Sequence, residues 1–215
     1  MKIRYKIMII ILVLFTTIGL FLYYYIPRLI YEYNEKYDCY LVSYAFGDLE
    51  EYVIPNVYNN KPVYGTTTRA FYQHKNLKSI KFEEPSNFKY VGRLSFSECD
   101  NLEYINLEYI EIIERGAFSY DYKLNNLCIN AEIIGGSSFY KCEGLVNVEL
   151  NNTLSIGSMA FSNTSIKNIL IPKCCIEIGV DCFYDCDYIE EVNIYNETLE
   201  KNIYLLDYDY IKIIN

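Results

Sequence analysis

Eight cysteines and one histidine are the residues whose side chains are best suited to chemistry in this chain. Cysteines can form disulfides, bind metals or act as nucleophiles beside a histidine. Cys174 and Cys175, or Cys182 and Cys186, are close enough in sequence to share a metal, but no second pair of ligands matches them. The chain also lacks a metalloprotease motif, a phosphate-binding loop and a usable Ser-His-Asp spacing. We therefore expect no enzyme activity, no metal and no cofactor.

A phenylalanine that follows a small residue recurs along the chain and defines the position of these side chains within a repeat. Successive phenylalanines are 21 to 25 residues apart. A fixed period in this range indicates a solenoid, in which each repeat forms one coil. The six pairs are Ala70-Phe71, Ser95-Phe96, Ala117-Phe118, Ser138-Phe139, Ala160-Phe161 and Cys182-Phe183.

Each repeat ends in an alternation of apolar residues, such as Val148-x-Leu150 in the fourth repeat. This period of two is typical of a short strand. A glycine such as Gly135 precedes the small residue and suits a turn at which neighbouring coils come close. Stacking one strand of each coil on the next predicts a parallel sheet with strands about 4.8 Å apart. A lone coil buries too little apolar surface, so only the array is stable.

The fourth repeat reads Ile134-Gly135-x-x-Ser138-Phe139-x-x-Cys142-x-x-Leu145-x-x-Val148-x-Leu150. This pattern resembles the BspA-like subfamily of leucine-rich repeats, over about residues 50–195. We therefore assign the chain to the α/β class, as a leucine-rich-repeat solenoid with one parallel sheet of short strands. The resemblance implies a curved, surface-exposed protein used in adhesion or recognition, and it supplies no catalytic residue.

The register of the repeats explains most of the cysteines as buried thiols. Cys99, Cys142 and Cys186 lie three residues after the phenylalanines of the second, fourth and sixth repeats. Alternate coils are about 9.6 Å apart, twice the strand spacing, which exceeds the limit of about 7 Å between bridged Cα atoms. His74 occupies the same offset, so we expect it in the core. Cys39 and Cys128 have no assigned partner.

The N-terminal segment is apolar enough to cross a membrane. Residues 7–26 carry no charge, and a helix of that length spans about 30 Å. Lys2, Arg4 and Lys6 precede it, which predicts a cytoplasmic tail at 1–6, a transmembrane helix in the lipid bilayer at 7–26 and an extracellular C-terminal domain. The alternative is a cleaved signal peptide ending near Gly19, but the apolar run continues past that site and favours the anchor.

The remaining boundaries follow from the repeat. We expect a linker at 27–36, a cap hairpin at 37–62, six repeats at 63–195 and a C-terminal cap at 196–215. Residues 29–215 hold 15 basic and 28 acidic residues, a net charge of −13. This acidity argues against a nucleic acid partner.

Exposed positions beside the predicted strands are the best candidates to face a ligand. We expect this strip to bind a protein or glycan partner, and the alternative is a structural envelope spacer without a specific ligand. The strip consists of Lys78, Lys81, Glu103, Tyr104, Asn106, Asn126, Asn147, Glu149, Asn168, Glu190, Glu191 and Asn193.

Overall fold

The structure, a computed structural model, describes residues 28–194 and 211–213. The described residues form short strands and turns, wound as successive coils around an apolar core. The strands are β1 Arg28–Asn34, β2 Cys39–Phe46, β3 Glu51–Ile54, β4 Val57–Tyr58, β5 Lys61–Thr66, β6 Ser79–Phe82, β7 Tyr90–Val91, β8 Tyr104–Ile105, β9 Ile112–Ile113, β10 Asn126–Ile129, β11 Ile133–Ile134, β12 Asn147–Leu150, β13 Ser155–Ile156, β14 Asn168–Ile171, β15 Glu177–Ile178, β16 Glu191–Ile194 and β17 Ile211–Ile213.

Each coil contributes strands to two separate ladders. Ladder A is a nine-stranded sheet with the order β1-β2-β5-β7-β9-β11-β13-β15, to which β4 is added beside β5. Ladder B contains the strands predicted from the apolar alternation, in three groups: β3-β6-β8, β10-β12 and β14-β16-β17. The pairing between coils is parallel in both ladders, and Val148 of β12 lies opposite Leu127 of β10. The prediction of one sheet is therefore wrong.

The α/β class is also wrong, because the described residues contain no α-helix. The segment that carries each phenylalanine is a series of turns, and a residue with positive φ lies two positions before and two positions after the ring. This left-handed conformation interrupts a right-handed helix after a few residues. The residues in these two rows are Arg69, Gln73, Leu94, Glu98, Gly116, Tyr120, Ser137, Lys141, Met159, Asn163, Asp181 and Asp185.

The predicted transmembrane helix at 7–26 lies outside the described residues. Within the part that the structure describes, no helix has the length and apolar character needed to cross a bilayer. The described fold is thus an all-β solenoid of the leucine-rich-repeat type.

The phenylalanines form a continuous stack through the core. All six are fully buried, and the rings of Phe96, Phe118, Phe139 and Phe161 follow one another at 5.3 Å with planes within 6° of parallel. The backbone beside them forms a third connection between coils, since the N–H of Phe118 donates to the carbonyl of Ser138 at 2.8 Å. The repeat therefore stabilises the fold only when coils are stacked.

The repeated glycine is required by the close approach of two backbones. A β-carbon on Gly135 would lie 2.6 Å from the backbone nitrogen of Arg115 in the preceding coil. A β-carbon on Gly92 would lie 2.5 Å from the backbone oxygen of Thr66. Neither glycine has a positive φ, so the space between coils, rather than a turn conformation, demands the missing side chain.

The N-terminal cap differs from the predicted one. Its hairpin pairs β1 with β2, antiparallel, so that Asn34 faces Cys39, and the predicted linker at 27–36 contains β1. The segment Glu51–Ile54, expected in the hairpin, instead begins ladder B by pairing with β6. At the other end, β17 pairs with β16 in parallel.

Ser138 offers a direct test of packing among the small residues that precede the phenylalanines. Its hydroxyl is buried and has no hydrogen-bond partner among the described residues, whereas Ala117 and Ala160 fill the equivalent positions in the flanking coils. We expect Ser138→Ala to raise the free energy of unfolding by about 1 kcal/mol, because it removes an unpaired buried polar group. Urea denaturation measures this change.

Ser119→Ala is the matched control. The Ser119 hydroxyl lies 2.9 Å from the Ser97 hydroxyl and donates to the Gly116 carbonyl at 3.0 Å, so its loss should destabilise the protein. A lower midpoint for Ser138→Ala than for the native chain would contradict the assignment.

Candidate functional site

His74 and three of the eight cysteines lie in one buried column of the solenoid. The column contains the side chain three residues after each phenylalanine, and each member is buried. The thiol of Cys99 donates to the Phe71 carbonyl at 3.1 Å, and that of Cys142 donates to the Phe118 carbonyl at 3.0 Å. The members are His74, Cys99, Asp121, Cys142, Thr164 and Cys186.

These contacts give the column a structural role. Burial raises the pKa of the Cys99 and Cys142 thiols well above the ordinary value and lowers the pKa of His74. A thiol that stays protonated is a poor nucleophile and a poor metal ligand. Cys99, Cys142 and Cys186 are buried thiols outside any disulfide, as the register predicted.

Asp121 is one of the two members of this column, with Thr164, that were not identified from the sequence. Its carboxylate is fully buried, accepts a hydrogen bond from the Cys99 backbone N–H at 2.8 Å through Oδ1, and has no partner for Oδ2 among the described residues. Burial raises the pKa of Asp121 well above its ordinary value. The replacement of cysteine by aspartate in the third repeat was the available signal.

Ladder B carries the predicted strip on its solvent-facing side. Eight strip residues lie within its strands, namely Lys81, Tyr104, Asn126, Asn147, Glu149, Asn168, Glu191 and Asn193. Lys78, Glu103 and Glu190 each lie directly before a strand, and Asn106 follows β8. The side chains alternate with buried ones such as Leu127 and Val148, which is why they share one face.

The structure gathers five of the strip residues around one groove, which we call the ladder B groove. It crosses β8, β10 and β12, and Cys128 and Glu108 also line it. Tyr104 is 55% exposed there. The five strip residues in the groove are Tyr104, Asn106, Asn126, Asn147 and Glu149.

Hydrogen bonds hold the amides of the groove in place. Asn147 Nδ2 donates to Asn126 Oδ1 at 2.6 Å, so that two neighbouring coils share one amide pair. Asn106 Oδ1 accepts the backbone N–H of Glu108 at 2.9 Å. The groove therefore presents side chains whose positions are largely set before any ligand binds.

The strip residues outside the groove have other neighbours. Lys78 Nζ lies 2.9 Å from Glu50 and Lys81 Nζ lies 2.7 Å from Glu51, so their charges are compensated at the first coil. At the far end, Asn193 Nδ2 donates to Glu191 at 3.3 Å. The structure thus divides the strip into a paired basic end, a groove lined by amides and carboxylates, and an acidic end.

Ladder A has an apolar outer face that the sequence reasoning missed. Tyr64 is 37% and Ile133 45% exposed, and Tyr90 and Ile112 lie half-buried between them. Burial, followed by the nearby Glu114, raises the pKa of Tyr90 to about 12. Paired apolar residues before the repeat glycine, as in Ile133–Ile134 before Gly135, were the signal for these additional strands.

Comparison with known proteins places this geometry among bacterial repeat proteins. The family model of the BspA type leucine-rich repeat region, in six copies, matches residues 41–133 and 111–212. Among curated proteins, none matches the sequence.

Solved structures share the fold. One is a leucine-rich cell surface protein from Faecalibacterium prausnitzii, with 21% identity and a TM-score of 0.65 over 80% of this chain. Another is a leucine-rich repeat protein from T. pallidum, with 23% identity and a TM-score of 0.52 over 77% of this chain. The chain covers 55% of the first structure and 68% of the second. At these identities the likeness concerns the fold.

Proposed function

We propose that this chain, which belongs to the BspA type of leucine-rich repeat proteins, is a recognition protein of the cell surface that binds its partner through ladder B. Binding rather than catalysis fits a fold in which His74 and six of the eight cysteines are buried. The cell-surface location is supported by the description of the F. prausnitzii protein that shares the fold. Attachment to a lipid bilayer through residues 7–26 stays a prediction, because those residues lie outside the described part.

The observation that carries the proposal is the ladder B groove. Its polar side chains come from three successive coils, yet they face one space, and a hydrogen bond between coils joins Asn126 to Asn147. A solenoid used only as a spacer needs no such arrangement, since its stability resides in the buried stack. A concave surface with a few positioned polar groups is typical of a binding site.

A binding experiment on the full chain tests this function. The immobilised protein is incubated with cell-surface and extracellular-matrix fractions, and the retained material is quantified. We expect the triple variant Asn126→Ala, Asn147→Ala and Glu149→Ala to retain about tenfold less than the native chain, because a few central residues carry most of the binding energy.

The control variant changes Glu35 and Lys36 to alanine in the exposed turn of the cap hairpin, far along the solenoid from the groove. It should bind like the native chain. Equal loss in both variants would contradict ladder B as the site. Absence of retained material with the native chain would favour the spacer.

A further inference from the structure

The ladder B groove combines one exposed aromatic ring with an array of amides and a carboxylate. Tyr104 supplies the ring, and Asn106, Asn126, Asn147 and Glu149 surround it. None of the residues that line the groove is a lysine or an arginine. We propose that the groove binds a neutral linear oligosaccharide, an inference that rests on the proposed function and names the class of its ligand.

The Tyr104 ring supplies a flat surface against which one face of a sugar ring can pack. The side chain is 55% exposed although it lies in a strand, so its ring is accessible from the groove. The face of an aromatic ring carries partial negative charge, which attracts the weakly positive C–H groups of a sugar. Ring stacking of this kind needs no charge on the ligand.

The amides supply both hydrogen-bond donors and acceptors, as sugar hydroxyls require. A hydroxyl donates one hydrogen bond and accepts others, so it is best satisfied where both kinds of group lie side by side. The bond from Asn147 to Asn126 leaves the Asn126 amide nitrogen as a donor and the Asn147 oxygen as an acceptor. The bond to the Glu108 backbone leaves the Asn106 nitrogen as a further donor.

The charge of the groove selects among saccharides. Glu108 and Glu149 line it without a cation among the lining residues. Sulfated, phosphorylated or sialylated glycans would therefore meet like charge, and the carboxylates act as acceptors for hydroxyl groups instead. A neutral glycan is the class that this lining accommodates.

The shape of the groove favours a ligand with repeated units. The same outward position recurs on β8, β10 and β12 at the strand spacing of about 4.8 Å, so equivalent groups extend over about 10 Å. A protein partner would instead require an interface of about 800 Å² on each side, with several aromatic or arginine anchors. Among the residues lining the groove, Tyr104 is the only aromatic side chain.

Titration calorimetry on the full chain tests the proposal with four neutral probes: cellohexaose, chitohexaose, laminarihexaose and xylohexaose. A heparin hexasaccharide serves as the anionic control. We expect binding of at least one neutral probe and none of heparin. Tyr104→Ala should weaken that binding by about tenfold, since it removes the stacking surface. Tyr104→Phe should retain most of it, and Tyr188→Ala, at an exposed tyrosine outside the groove, should change nothing.

Thiol labelling gives an independent measurement. Cys128 lines the groove, whereas the exposed Cys174 lies outside it and acts as an internal control. The bound saccharide should slow the alkylation of Cys128 by iodoacetamide, measured by mass spectrometry of the peptides, and leave that of Cys174 unchanged.

Three outcomes would overturn the proposal: no binding of any neutral probe, tighter binding of heparin, or neutral binding that Tyr104→Ala does not reduce. Failure of the proposed function would give a different result. In that case the groove variants would retain as much cell-surface and matrix material as the native chain does. Loss of that material without saccharide binding would indicate a protein partner in the groove.

Discussion

Replacing Phe139 by alanine should lower the free energy of unfolding by about 3–5 kcal/mol, which is the cost of deleting a buried phenylalanine from a packed core. The ring is fully buried and stacks on Phe118 and Phe161, each at 5.3 Å. Its loss removes two ring contacts and leaves a cavity inside the solenoid. Urea denaturation followed by circular dichroism measures the change.

Tyr188→Ala provides the control for this variant. Tyr188 is an exposed aromatic residue of the sixth repeat, and a surface truncation of this kind changes stability by about 0.5 kcal/mol or less. The loss in free energy of unfolding for Phe139→Leu should fall between those of the two variants, because leucine preserves much of the buried volume. An unchanged midpoint for Phe139→Ala would refute the stacked core.

Asp121→Asn should make the free energy of unfolding less sensitive to rising pH. In the folded state burial raises the pKa of Asp121 well above 3.8, its ordinary value. The folded protein therefore retains a proton that the unfolded chain releases, and its stability falls as the pH rises from about 3.8 toward the folded-state pKa. For one proton the slope reaches about 1.4 kcal/mol per pH unit.

Asparagine keeps the acceptor for the Cys99 backbone N–H and has no carboxyl to ionise. The denaturation midpoints of the native chain and the variant, measured between about pH 4 and pH 7, should therefore converge at the acid end. At neutral pH the variant should be the more stable of the two. The groups that act on Asp121, after burial and the Cys99 hydrogen bond, are Asp100, Lys75 and Glu98. Parallel pH profiles for the native chain and the variant would contradict the buried, protonated carboxyl.

The repeat predicted the core and the face of the candidate site because both follow from side-chain alternation. Leu127 and Val148 are buried, and their neighbours Asn126 and Asn147 are exposed, as a period of two requires. The groove itself was beyond prediction, since it depends on which side chains bond across coils.

Other features of the structure were not predicted from the sequence because they depend on the spacing between coils. Ile133–Ile134 forms a strand only when the neighbouring coil is close enough to pair, and the sequence alone indicated only a turn at the glycine that follows. Between residues 28 and 194, the absence of a helix follows from positive φ at positions such as Met159 and Lys141, which side-chain identity does not specify. Asp121 departs from the repeat, and only its complete burial shows that it belongs to the core.

The hydrogen bonds that connect successive coils also determine how the solenoid would respond to mechanical load. In ladder A and along the phenylalanine backbone they join each coil to the next, and in ladder B they join the coils within each of its three groups, so they run along the axis of the stack. A force that separates the two ends along this axis would pull each hydrogen bond apart along its own direction, rather than slide neighbouring strands past each other. Coils would then detach singly from an end, and each would release about 70 Å of extended chain.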